Sequence, residues 1–217
     1  MYYETSYSNM INEERELWED LARNSCRLLE ILYSWDENNH MLAKYINVLF
    51  GFRSATQDHD YIIGIRDKVY NSTQGYVVDK FYLQKKIKDY LGNIDSTLDY
   101  LHKFLNQLKT ENNKKLYEFD REKEKFADRI NNMRNEVMHE GVPSLKFDTD
   151  WRHTTSQCHA DIAGSTTVHT TIWVRFNDDE KNDWHDCGVL ISNTYLDTKK
   201  LIGAITDKLI TQISVRK

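Results

Sequence analysis

Arg134, Asn135 and His139 fall in the stretch Met133-Arg-Asn-Glu-Val-Met-His-Glu-Gly141. Histidine is the side chain that takes and gives a proton near neutral pH. Arginine holds phosphate in a bidentate fork and stays charged throughout a reaction. Asparagine can orient an imidazole or a phosphate oxygen. Base, cation and orienter together are what metal-independent RNA cleavage requires: the His would activate the ribose 2′-OH and the Arg would stabilise the extra charge on phosphorus. A helix C-terminus close by favours imidazolium, which suits a general acid more than a general base. The plain alternative is that His139 caps a helix end while Arg134 pairs with Glu136 or Glu140 on the surface.

The element that must carry these groups is a helix predicted over about 113–140. Leu116, Phe119, Phe126, Ile130, Met133 and Val137 recur at three and four residues, with Lys123 the one exception, the spacing of a buried stripe. Gly141 and Pro143 stop it. At about 100° per residue, with Ile130 as zero, the stripe centres near 320°, Arg134 lies near 40°, Asn135 near 140° and His139 near 180°. All three sit off the stripe, and Asn135 and His139 are neighbours at i,i+4. The charged run REKEK reads as a solvated face.

Further helices are predicted over about 12–34, capped by Asn12 and burying Leu17, Leu21, Leu28 and Leu32, and over about 41–53 with Leu42, Tyr45, Ile46, Leu49 and Phe50. WDENNH at 35–40 reads as a turn. Tyr61, Ile62, Ile65 and Val69 suggest a short separate helix ended by NSTQG. A long helix over about 77–108 holds Phe81, Ile87, Leu91, Ile94, Leu98, Leu101 and Leu105, with Gly92 as a weak point and TENN at 110–113 as its break. Residues 145–195 read as strands. Val168, Ile172, Val174 and Phe176 share one face of a period-2 pattern, with His169, Thr171, Trp173 and Arg175 on the other. NDDEKND would turn the chain, and 184–192 would return as the partner strand. A closing helix over about 197–214 would bury Leu201, Ile205, Leu209 and Ile213. The expected fold is mainly α: an antiparallel helical bundle over 1–142, then a small C-terminal α+β extension over 143–217, a β-hairpin plus the closing helix, packed on the bundle.

RNEVMH resembles the signature of the HEPN superfamily, an Arg, four to six residues and a His, often with a polar residue after the Arg. The match covers Arg134, Asn135 and His139, and the helical layout of about 11–141 is similar to the HEPN bundle. The resemblance implies a metal-independent endoribonuclease with Arg134 and His139 catalytic and Asn135 supporting. The expected products are a 2′,3′-cyclic phosphate and a 5′-OH. It implies RNA as partner, a homodimer with the two motifs facing one cleft, no cofactor, and a toxin or phage-defence setting with an antitoxin or partner protein. Family members silenced by a nucleotidyltransferase antitoxin share a tyrosine two residues after the His. Gly141 stands there in this sequence, so the resemblance does not extend to that mechanism. Other members keep the fold without catalysis, which leaves a dimerisation or interaction module, or a nucleotide-binding regulator, as alternatives. Residues 145–217 resemble no named family.

Other constellations are weaker. His153, His159, His169, His185, Cys158 and Cys187 crowd the C-terminal part, but no CxxC, HxxxH or HExxH occurs. His185 and Cys187, sharing a face if they lie on a strand, make the best fragment of a zinc site, and no metal is expected. Asp58-His59-Asp60 with Arg53 and Arg66 reads as a surface loop, although polar residues of an earlier helix can join a HEPN cleft. Tyr2, Tyr3 and Tyr7 have the chemistry to stack on bases but read as a packed or frayed end. No P-loop, GxGxxG, GxSxG or kinase-like pattern is present.

Composition sets the outer limits. The 217 residues carry a net charge of −5 with 29 Lys+Arg against 34 Asp+Glu, which excludes a broadly basic nucleic-acid coat but not a local basic site. Aromatics at 12% argue against a disordered chain, and one proline excludes a proline-rich linker. No run is apolar enough to span a membrane, MYYETSYSNM has no signal-peptide pattern, and three scattered cysteines suit a reduced, cytoplasmic setting.

Overall fold

The structure, a computed structural model, describes residues 19–34, 40–70, 77–112, 125–158, 161–176 and 184–214. Among them the chain forms helices α1 (19–34), α2 (His40–Tyr70), α3 (Lys80–Asn112) and α4 (Lys125–Glu140). Strands β1 (Ser144–Cys158), β2 (Asp161–Arg175) and β3 (His185–Asp186) follow, and α5 (Cys187–Ser214) closes the order. The protein is mainly helical with one small three-stranded antiparallel sheet, strand order β1-β2-β3. No described helix is long and apolar enough to cross a membrane.

Contacts divide the described residues into two compact units. The first takes in those of Met1–Ser54, Asn93–Ile130 and Thr194–Lys217, and the second those of Ala55–Gly92 and Asn131–Asn193.

The first unit is helix packed on helix. Leu21, Leu28 and Leu32 of α1 are buried as their spacing predicts; Asn12 and Leu17 lie outside the described residues. Met41, Tyr45, Val48 and Phe52 form the buried stripe of this part of α2, while Phe50, expected in the same helix, is 60% exposed. Tyr45 is buried with its hydroxyl 3.1 Å from Ser25 Oγ and 2.8 Å from Thr206 Oγ1. That is how a buried phenol keeps its polar end satisfied. Burial holds its pKa above the ordinary value despite both hydrogen bonds. Phe52 stacks on Tyr195 at 5.3 Å, and Tyr45 meets Phe104 at 5.2 Å. α2 and α3 approach closely at Gly51, where a Cβ would lie 2.7 Å from Thr97 Oγ1. In α5, Ile205, Leu209 and Ile213 are buried as expected, whereas Leu201 is only half-buried.

The second unit holds the rest of the helices and the sheet. The separate short helix expected within 54–76 does not exist: α2 runs unbroken from His40 to Tyr70. The polar stretch 54–60 carries no breaker, and its buried Asp58 finds a partner on α3, as set out below. α3 starts where Asp79 Oδ1 accepts the Tyr82 N–H at 2.9 Å, an N-cap. Gly92 sits inside it without ending it, and it runs to Asn112 instead of stopping at about 108. Leu83, Ile87, Tyr90 and Leu91 are buried, but Phe81, expected in that stripe, is 69% exposed. Of the expected α4 stripe, Ile130 (in the first unit), Met133 and Val137 are buried; Leu116 and Phe119 and the Phe126 side chain lie outside the described set.

The sheet corrects two expectations. The main partner of β2 is β1, paired from Ser144↔Arg175 to Cys158↔Asp161. The expected return strand 184–192 pairs only at Trp173↔Asp186 and Val174↔His185, and at Cys187 the chain turns into α5, ten residues before the predicted start at 197. Asp186 explains the switch, since its Oδ1 accepts the Val189 N–H at 3.0 Å and caps the helix. Burial then follows the helix, with Leu190, Ile191, Thr194, Tyr195 and Thr198 inside and Val189 55% exposed. The face assignment of β2 holds for Ile172 and Val174, which are buried with Phe176, and Leu145 joins them opposite Val174.

Candidate functional site

α4 positions the Arg134 group. Arg134 and Asn135 are half-buried while Met133 and Val137 beside them are buried, so the pair lies off the core stripe, as the helical geometry demands. Arg134 Nη1 donates to Asn135 Oδ1 at 3.0 Å, which fixes the guanidinium along the helix. The Asn135 amide donates in turn to Asn131 Oδ1 at 3.5 Å, one turn further from His139. The backbone of His139 forms part of the last turn of α4; its side chain, and those of Glu136 and Glu140, lie outside the described set.

The end of α4 is held by three contacts. Gly141 adopts φ +108° and its N–H donates to the Val137 carbonyl at 3.1 Å, a left-handed C-cap that glycine adopts without strain. Gln84 Nε2 donates to the Pro143 carbonyl at 2.7 Å, and Lys88 Nζ to the Gly141 carbonyl at 3.4 Å. Gln84 and Lys88 are one turn apart on α3, so one face of α3 fastens the chain directly after the Arg134–His139 stretch.

Asp58-His59-Asp60 is not the surface loop expected. It lies within α2, with Asp58 and His59 buried. Lys86 Nζ of α3 donates to Asp58 Oδ1 at 2.6 Å and stands 5.9 Å from the ring centres of both Tyr61 and Tyr82, which meet edge-on at 5.2 Å. The hydrogen bond to Asp58 is the main reason the Lys86 ammonium is held above its ordinary pKa. His59 Nδ1 lies 3.0 Å from Asp60 Oδ1. With Gln84 as zero, Lys86 points to about 200° and Lys88 to about 40° on α3. The Asp58–Lys86 pair therefore belongs to the flank of α3 away from the Gly141 contact. Arg53 is exposed and belongs to the first unit. Arg66 donates from Nε and Nη2 to Asp67 Oδ1 at 2.9 and 2.6 Å, and a Cβ at Gly188 would collide with its Cδ.

The proposed zinc fragment comes apart. Cys187 opens α5 instead of sharing a strand face with His185, and it is 1% exposed. Burial, and secondarily Asp186, push its thiol up to about 12, so it stays protonated and is a poor ligand or nucleophile at neutral pH. His169 packs against Tyr70 at 4.5 Å, and Arg175 covers Trp184 at 5.0 Å. Among the described residues no group of three or more His, Cys, Asp or Glu could hold a metal ion. His159 and the side chains of His153 and Cys158 lie outside the described set, as do Tyr2, Tyr3 and Tyr7.

The class so defined is a mainly helical protein with a small antiparallel sheet and an Arg-Asn pair beside a capped helix end. No family model, curated protein or solved structure matches the chain.

Proposed function

We propose that the protein is a metal-independent endoribonuclease of HEPN type. Arg134 binds the scissile phosphate and stabilises the charge that builds on it, and His139 is the general acid/base. Asn135 holds the guanidinium in place, the role its 3.0 Å hydrogen bond suits. The 2′-oxygen attacks phosphorus, the P–O5′ bond breaks, and the imidazole takes the 2′-OH proton and returns one to the departing 5′-oxygen. The products are a 2′,3′-cyclic phosphate and a 5′-OH, with no metal or cofactor consumed. The protein acts as a homodimer, with both motifs at the interface.

The observation that carries this reading is the placing of Arg134 and Asn135 off the buried Met133/Val137 stripe. Core packing does not require them there, and an arginine fixed by a neighbouring amide is preorganised for a phosphate. The test is RNA cleavage in EDTA by wild type, Arg134→Ala and His139→Ala. Cleavage by wild type alone is expected. Cleavage that survives in His139→Ala would refute the assignment.

A further inference from the structure

The first turns of α3 carry a cluster that the reading above does not use. Residues 80–88 read KFYLQKKIK, with four lysines and no carboxylate in a chain of net charge −5. The cluster has a direction. With Gln84 as zero, Lys88 lies near 40°, Phe81 near 60° and Lys85 near 100°, with Lys80 at the edge near −40°. Lys86, which is neutralised by Asp58, and the cap residue Asp79 both point to the far side. Phe81 is 69% exposed and Lys80 and Lys85 are exposed. Among the described residues neither of these lysines has an ion-pair partner. This is also the face whose Gln84 and Lys88 reach the carbonyls of Pro143 and Gly141. An exposed aromatic ring flanked by cations therefore adjoins the end of the helix that bears Arg134 and His139.

We infer that this face of α3 is the binding strip for single-stranded RNA, with Phe81 stacking on an unpaired base and Lys80, Lys85 and Lys88 holding backbone phosphates. Charge complementarity selects a polyanion against an otherwise acidic chain. The ring selects bases that are not already stacked in a duplex, because a π-face of this size is useful only to a splayed base. The lysines supply sequence-independent affinity, so the strip would deliver single strands to the proposed site without choosing among them. The inference rests on the ribonuclease reading for its purpose, but not for its test.

The test measures binding of the full chain to a fluorescent 2′-O-methyl RNA of roughly 12 nucleotides, which lacks the nucleophilic 2′-OH and so cannot be cut by the proposed route. Phe81→Ala should weaken binding about tenfold or more, the effect of one lost stacking contact, and leave the salt dependence unchanged. Lys80→Ala and Lys85→Ala should each lower the slope of log affinity against log salt by ~0.7. Tyr33→Ala, an equally exposed aromatic in α1 (71% exposed), should leave binding unchanged. Wild-type affinity in Phe81→Ala, equal binding of the duplex form, or no binding by wild type would overturn the inference. If the strip binds as described but unmodified RNA is never cut, the inference stands and the ribonuclease reading falls. If RNA is cut equally well by wild type and by the strip variants, the reading stands and the inference falls.

Discussion

Gln84 of α3 donates a 2.7 Å hydrogen bond to the backbone carbonyl of Pro143. It thereby fixes the chain two residues past the glycine that ends the Arg134–His139 helix. A helix end frays unless its last carbonyls are met. Here the Gly141 N–H meets the Val137 carbonyl, and an amide and an ammonium of α3 hold the carbonyls of Pro143 and Gly141 just beyond, so the chain directly after the turn to which His139 belongs is fastened to α3.

Gly141→Ala tests that fastening. An alanine at φ +108° is strained by about 1–3 kcal/mol, and Gly141 has open space around it, so the cost comes from the backbone and not from a clash. The urea midpoint should fall by the corresponding amount. Gln84→Ala should lower it less, by about 1 kcal/mol for one net hydrogen bond.

Lys86 gives a prediction with a sign. Its folded pKa is raised above the ordinary 10.5, first by the hydrogen bond to Asp58. A raised cation contributes stability that is complete below the unfolded pKa and is lost as pH climbs through the folded one. Wild type should therefore lose stability above about pH 10.5 more steeply than Lys86→Met. At neutral pH Lys86→Met should cost about 1–3 kcal/mol, because it takes the ammonium from a buried carboxylate. Denaturant titrations at pH 7 and pH 11 measure both effects.

How much of this was legible in the sequence depended on whether the signal was local. The α4 stripe, the Gly141/Pro143 stop and the two faces of β2 were readable because a period and a breaker lie within a few neighbouring residues. The burial of Asp58 was not, since its partner Lys86 lies 28 positions away and nothing in 54–61 announces it. The start of α5 was hidden because Cys187, Val189 and Ile191 alternate like a strand. The signal that would have found it was Asp186 as an N-cap ahead of Leu190, Ile191, Thr194 and Tyr195. Phe50 and Phe81 fit the apolar spacing of their helices, and their exposure shows how weak that criterion is on a helix flank.

The cysteines should separate cleanly by reactivity. Cys26 is exposed and Cys187 buried, with the Cys187 thiol pushed up to about 12. Brief iodoacetamide treatment at pH 8 followed by peptide mapping should find Cys26 alkylated and Cys187 intact until denaturant is added. Because the folded thiol pKa is raised from an ordinary 9.0, its contribution to stability is complete below pH 9 and declines between there and about 12.

Tyr45→Phe removes the hydroxyl shared by Ser25 and Thr206 while keeping the ring against Phe104. The loss should be about 1–2 kcal/mol in thermal or urea unfolding, with a folded and still helical product by circular dichroism.

The chemistry of the RNA ends tests the ribonuclease reading most directly. A defined single-stranded RNA digested in EDTA by wild type, with Arg134→Ala and His139→Ala in parallel, should give 2′,3′-cyclic phosphate and 5′-OH termini by mass spectrometry, from wild type only. Termini bearing 3′-OH and 5′-phosphate, or a wild-type dimer that leaves every RNA intact, would contradict it.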